Sequence, residues 1–211
     1  MLGDFTRNDA ILLVGPTGAG KSPLGDLLAE SDIDGKRCFH FDFGENLRRT
    51  ASQQSPDDLF DKQDLRIVDD ALKKGKLLEN ESFHIARKIL HTFMRDHSVM
   101  EQDLLILNGL PRHIGQANDT DQLVNISAIL SLECTSEIVH ARILRNTGGD
   151  RTHRTDDSLA EIQAKLRTFE HRTFPLLGHY TNKGVSVHHL QVSLENSPHQ
   201  MLERALDVLG A

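Results

Sequence analysis

Gly15, Gly18 and Gly20 stand just ahead of Lys21 and Ser22 in the run Gly15-Pro16-Thr17-Gly18-Ala19-Gly20-Lys21-Ser22. Three small residues, an ammonium and a hydroxyl at this spacing suit one kind of chemistry, the holding of a phosphate chain. Glycine lets successive backbone amides turn inward as an anion nest. The helix that follows adds its positive end to the same point. Lys21 would then reach the β and γ phosphates of a nucleotide, and Ser22 would ligate Mg2+. The run fits the P-loop pattern at every specified position. The plain alternative is a glycine-rich strand-to-helix turn that binds nothing, and the full match in its strand-then-helix setting argues against it. The pattern leaves the acceptor open, because GTPases, ATPases and small-molecule kinases share it.

The elements needed to position this loop are legible. Ala10 to Val14 is wholly apolar, as a central parallel strand covered on both faces must be. Leu104 to Leu107 and Ile126 to Leu132 read the same way, Val185 to Val192 less strongly, and Arg37 to Phe41 as a short fifth strand. Helical spacing separates them: Leu24, Leu27 and Leu28; Leu65, Val68 and Leu72; Ile85, Ile89 and Phe93; Ile138, Val139 and Ile143; a long stretch from about Asp156 to His179; and Leu202, Leu206 and Leu209. Strands alternating with helices predict an α/β fold, a three-layer sandwich around five parallel strands. Two stretches break the alternation. Gly44 to Asp103 is helical in pattern, with turn signals at Ser55-Pro56 and Gly75, and Asn146 to Thr155 reads as a short loop.

The bulk numbers narrow the partners. The chain has 211 residues, enough for one domain with a buried core. With 38% hydrophobic and 26% charged residues it reads as soluble and globular. A formal net charge of −7 argues against non-specific nucleic-acid binding, since phosphate backbones would be repelled. Cys38 and Cys134 show no metal-ligand spacing, which suits two free thiols in a reducing compartment. The first ten residues lack the apolar core of a signal peptide, and no run approaches the roughly 20 apolar residues needed to span a bilayer. The expectation is a cytoplasmic monomer with no membrane partner. None of the 12 histidines sits in a paired metal pattern.

Further segments, in colinear order over nearly the whole chain, resemble the adenylate kinase family of nucleoside monophosphate kinases. After the P-loop comes His40-Phe41-Asp42-Phe43-Gly44-Glu45-Asn46-Leu47-Arg48, similar to the S/T-G-D-x-L-R that opens the family's monophosphate-binding helix. Gly75-Lys76-Leu77-Leu78 resembles its G-K-L-V turn, and Asn108-Gly109-Leu110-Pro111-Arg112 with Gln116 resembles D-G-F-P-R…Q. Arg142 stands at a lid-helix arginine. Arg154-Thr155-Asp156-Asp157 resembles R-x-D-D, and Thr173 to Tyr180 resembles T-x-P-L-x-x-Y-Y.

The resemblance implies a P-loop NTPase fold with a helical monophosphate-binding insert over about 44–83 and a short lid over about 146–155. It implies Mg2+-dependent transfer from ATP to AMP. Gly15, Gly18, Ala19, Gly20, Lys21 and Ser22 would bind ATP. Phe43, Gly44, Arg48, Leu77, Leu78, Gly109, Arg112 and Gln116 would bind the monophosphate, with Arg48 and Arg112 on its phosphate and Gln116 on its base. Lys21, Arg112, Arg142 and Arg154 would carry catalysis, Arg142 and Arg154, with Arg145 a further candidate, by clamping the transferred group. Planar arginine forks suit phosphate oxygens and never lose their proton. Ser22 and, through water, Asn108 would serve Mg2+. The eleven residues between Arg142 and Arg154 hold no cysteine, so a structural zinc in the lid is excluded on ligand grounds.

Four positions depart from the family. Asn108 replaces an aspartate that orients Mg2+ through water, with Asp42 the residue able to compensate. Phe43 replaces a small hydroxyl residue beside the acceptor base. Asn146 replaces a second lid arginine, and Lys165 keeps a charge where one more arginine is common. These departures keep open a UMP- or CMP-type acceptor and a catalytically impaired nucleotide sensor. A P-loop kinase of small metabolites is a third alternative, which the colinear segments count against.

Overall fold

The computed structural model describes residues 7–52, 59–149 and 158–211. In chain order its elements are β1 (Asp9–Val14), α1 (Lys21–Ala29), β2 (Cys38–Asp42), α2 (Phe43–Ser52), α3 (Lys62–Lys74), a 3-10 turn (Asn80–Ser82) and α4 (Phe83–Asp96). There follow β3 (Leu104–Asn108), α5 (Ile114–Thr120), β4 (Asn125–Glu133), α6 (Ser136–Arg145), α7 (Leu159–Thr168), a π-helical stretch (Phe169–Thr173), α8 (Pro175–Asn182), β5 (Ser186–Gln191) and α9 (Pro198–Leu209). The five strands lie within one residue of the stretches read from the sequence, and β1 and β3, apolar and buried on both faces, are the central ones that a covered sheet requires.

The sheet runs β2-β3-β1-β4-β5, and every pairing is parallel. Alternation along β1 sends Ala10, Leu12 and Val14 into one core, with α2 to α5 and α8. Ile11 and Leu13 enter a second core, with α1 and α9. These are the two interfaces of a three-layer α/β sandwich. A small third cluster of Val139, Ile143 and Ile162 packs α6 against α7. β5 is an edge strand, and its partly exposed histidines, His188 and His189, reflect that position.

Between β2 and β3 the chain leaves the sheet through α2, α3 and the 3-10 turn, then returns along α4. Helix α3 is capped by the Asp61 carboxylate, which accepts from the Gln63 and Asp64 amides, and it ends at Gly75 in the left-handed conformation. Among the described residues no helix is long and apolar enough to cross a membrane. Ser55-Pro56 and most of the expected lid, including Arg154 and Thr155, lie outside the described residues.

Candidate active site

The C-terminal ends of β1, β2 and β3 open into one cavity of about 230 Å³. Open α/β sheets place ligands at this edge, where neighbouring connections leave on opposite faces. Here α1 covers one face, while α2 and α5 belong to the other.

The floor is the loop between β1 and α1. Gly20 sits at the helix N-cap with φ 100°, a conformation that costs an L-residue but not glycine. Lys21 Nζ donates to the Gly15 and Pro16 carbonyls at 2.7 and 2.8 Å. Pro23 is the third residue of α1, within the first turn, where its missing N–H has no intrahelical partner to lose.

One side wall is a polar knot. Parallel register sets Asp42, the last residue of β2, beside Asn108, the last of β3. Ser22 donates its hydroxyl to Asp42 Oδ2 at 2.7 Å. Asn108 Nδ2 donates to the same oxygen at 2.8 Å and to Ser22 Oγ at 3.1 Å. The Glu45 amide donates to Asp42 Oδ1 at 3.0 Å. Burial works to raise the Asp42 pKa, yet the bonds from Ser22 and Glu45 and the charges of His40 and Arg48 outweigh it, and the carboxyl lies below its usual range.

The far wall carries the other cations. Arg48 comes from α2, Arg112 from the β3–α5 turn and Lys165 from α7, and all three line the cavity. Both peptide groups beside Arg112 are held: its N–H donates to Gln116 Oε1 at 2.8 Å, and its carbonyl accepts from the Thr173 hydroxyl at 2.8 Å. Crowding by protein pushes the Arg112 pKa down from arginine's ordinary value, and the Asp42 charge opposes that shift. Leu78 O takes Gln116 Nε2 at 2.9 Å and His113 Nε2 at 3.1 Å, which fixes the hydrogen of that imidazole on Nε2. A two-bond pair of Arg172 with Glu79, at 2.8 and 3.2 Å, ties the same corner to the π-helical stretch.

Most residues nominated from the sequence meet at this cavity. Gly15, Gly18, Gly20, Lys21, Ser22, Phe43, Gly44, Arg48, Leu77, Leu78, Asn108, Gly109, Arg112 and Gln116 all line it. Four positions are held by contacts that the sequence did not show. Ala19 is fully buried, and its N–H closes a turn on the Pro16 carbonyl at 3.3 Å, so it packs beneath the loop. Arg142, 3% exposed, stands behind the loop and not on the cavity wall: its guanidinium bonds the carbonyls of Gly18, Ser193 and Asn196. A buried guanidinium needs acceptors, and three carbonyls converge there. Gln116, expected on a base, is fully buried and spends one bond of each carboxamide end on Arg112 and Leu78. Asn146, set where an arginine is common, is the C-cap of α6 at φ 48°, ψ 44°, which asparagine tolerates better than arginine does. Arg154 lies outside the described residues.

Among the lining residues not nominated as site residues from the sequence, two come from a single unusual turn. Thr173 and Phe169 line the cavity from the π-helical stretch. The Thr-x-Pro pattern marked the place but not that the wider turn aims both side chains inward.

Residues 13–185 match the family model described as adenylate kinase. An adenylate kinase of Prochlorococcus marinus is 28% identical over 182 residues, covering 84% of this chain and 86% of that protein. One of Corynebacterium aurimucosum is 26% identical over 204 residues, covering 94% and 98%. One of Xanthomonas euvesicatoria pv. vesicatoria is 26% identical over 206 residues, covering 95% and 98%.

Proposed function

The chain belongs to the adenylate kinase family of ATP-dependent phosphotransferases, and on that premise we propose that it transfers the γ-phosphoryl group of Mg-ATP to AMP, giving two ADP. The observation that carries this reading is the meeting, in one cavity, of the P-loop with Arg48 and Arg112 from two separate elements. One phosphate chain and one phosphate monoester are what such a pair of cationic ends would hold.

Two polyanions must approach, so the chemistry is mostly positioning and charge neutralisation. The amides of Gly18 and Gly20 and the Lys21 ammonium hold the β and γ phosphates of the donor. Arg48 and Arg112 hold the acceptor phosphate, whose oxygen attacks the γ-phosphorus in line while the bond to the β-phosphate oxygen breaks. Lys165 adds charge beside the transferred group, and Arg154 is a further arginine for clamping it. Arg142 acts through the loop: by holding the Gly18 carbonyl it keeps the peptide planes of the P-loop in order. Gln116 fixes the backbone of Arg112 and retains one N–H and one lone pair for the acceptor base.

Mg2+, which family members use with ATP, is hard and keeps several waters, taking few protein ligands beside phosphate. The residues present fit such an ion: a hydroxyl and a carboxylate, Ser22 and Asp42, lie together at the P-loop. Among the described residues there is no cluster of three or more His, Cys, Asp or Glu side chains able to cage a metal. When bound, the ion neutralises charge on the donor phosphates.

The test is to mix the protein with Mg-ATP and each of AMP, GMP, CMP and UMP, and to follow diphosphate formation beside Lys21→Ala. Conversion of AMP above the others, lost in the variant, is the expected result. Preference for UMP or CMP would move the acceptor, and nucleotide binding without turnover would make the protein a sensor.

A further inference from the structure

Resting on the reading above that this cavity takes Mg-ATP, we propose that the carboxylate serving the metal comes from β2, at Asp42, and that Asn108 on β3 is its neutral partner. P-loop enzymes hold Mg2+ with the loop hydroxyl and a strand-end aspartate. In this chain the residue at the end of β3 is an amide, which by itself suggests a weakened metal site.

The geometry reverses that suggestion. A carboxylate only accepts hydrogen bonds, so the atom of Asn108 that faces Asp42 Oδ2 at 2.8 Å must be the amino nitrogen. The same nitrogen lies 3.1 Å from Ser22 Oγ. Asn108 therefore turns N–H groups, the positive end of its dipole, toward the Ser22–Asp42 pair. A cation or its waters would find an acceptor on Asp42 and not on that face of Asn108. Because Asp42 and Asn108 are register partners on adjacent strands, a carboxylate at either position reaches the same hydroxyl.

The amide is then a requirement and not a defect. Carboxylates at both positions would stand within hydrogen-bond reach of each other with only acceptors to offer. The Asn108 amide instead supplies a donor to Asp42. Its Oδ2 is aligned by Ser22 and Asn108, and its Oδ1 by the Glu45 amide. Ser22, giving its hydrogen to Asp42 and accepting from Asn108, keeps one oxygen lone pair for the ion.

The experiment compares ATP affinity with Mg2+ and with EDTA by calorimetry, and Mn2+ affinity of the protein–ATP complex by electron paramagnetic resonance. Proteins compared are the wild type, Asp42→Asn and the exchange pair Asp42→Asn with Asn108→Asp. Asp42→Asn is expected to weaken Mn2+ binding roughly 10- to 100-fold, the range for losing an outer carboxylate. Its ATP affinity in EDTA should not fall below that of the wild type, since a carboxylate contributes no attraction to metal-free phosphates. The exchange pair should recover most of the metal affinity. Unchanged Mn2+ affinity in Asp42→Asn would overturn the proposal, as would an exchange pair no better than the single variant. A wild type that binds ATP with metal dependence but phosphorylates no monophosphate would sink the kinase reading alone. A wild type that binds no ATP would sink both.

Discussion

Arg112 shows how little of a functional side chain's behaviour lies in its own charge. Its position is set by two neighbours that hold its peptide groups, Gln116 on the N–H side and Thr173 on the carbonyl side. Replacing it by lysine keeps the charge and removes the planar fork, so two parallel bonds to phosphate become one. Arg112→Lys is expected to lower kcat/KM for AMP about 10- to 100-fold, roughly 1.4–3 kcal/mol in the transition state, with KM for ATP little changed. Steady-state rates with each substrate varied in turn would show it, and an equal effect on both substrates would contradict the assignment. Thr173→Val leaves the Arg112 carbonyl without its hydroxyl partner, at a cost of about 1–3 kcal/mol in stability. Thr173→Ser should recover most of that in urea titrations, and only the valine variant should raise KM for AMP.

At the scale of elements, several residue choices have local physical causes. The stop of α6 is one. Asn146 takes the left-handed conformation there and donates its backbone N–H to the Arg142 and Ile143 carbonyls. Restoring an arginine by Asn146→Arg is expected to destabilise the protein by about 1 kcal/mol, because a long side chain gains nothing at positive φ. Asn146→Gly should be close to neutral. Thermal melts of the two variants would separate a capping role from a lost phosphate contact. The packing of α1 on β2 is a second case: a Cβ on Gly25 would fall 2.3 Å from His40 Nε2, whose ring bonds Asp26 through Nδ1 at 2.7 Å. Gly25→Ala should therefore displace the ring and cost roughly 1–3 kcal/mol, the usual penalty of overpacking. A denaturation midpoint equal to that of the wild type would show that the ring moves freely.

Across the whole molecule, the stability that holds the helices between β2 and β3 in place depends on charge. Asp64 of α3, nearly buried, bonds Lys88 and His84 of α4, each at 2.7 Å. Burial raises its pKa, but the bonds to Lys88 and His84 more than offset this and hold it below the usual value. A depressed carboxyl stabilises the fold above its unfolded pKa of about 3.9 and loses that contribution as pH falls through the folded value. Asp64→Asn is expected to cost about 1–3 kcal/mol at neutral pH. Its deficit against the wild type should shrink as pH drops below about 4. Urea titrations at several pH values test this, and a deficit independent of pH would assign the loss to packing.

The sequence by itself determined the sheet and its phosphate loop. Apolar runs of four to seven residues have to be covered on both faces, and Gly15 to Ser22 states its own backbone requirement, so both are local properties of the chain. The colinear segments also placed Arg48, Arg112 and Thr173 near the right elements. What only the tertiary structure decided is where each polar side chain finds its partners. Arg142 turned behind the loop because carbonyls from Gly18, Ser193 and Asn196 converge there. Gln116 went to the backbone of Arg112 and Leu78 because a buried amide must be satisfied from whatever lies within reach. Asp42 and Asn108, 66 positions apart in sequence, became one unit through the register of β2 on β3. Hydrogen-bond partners are chosen by distance in space, which spacing along the chain encodes only within a helix turn or a tight loop.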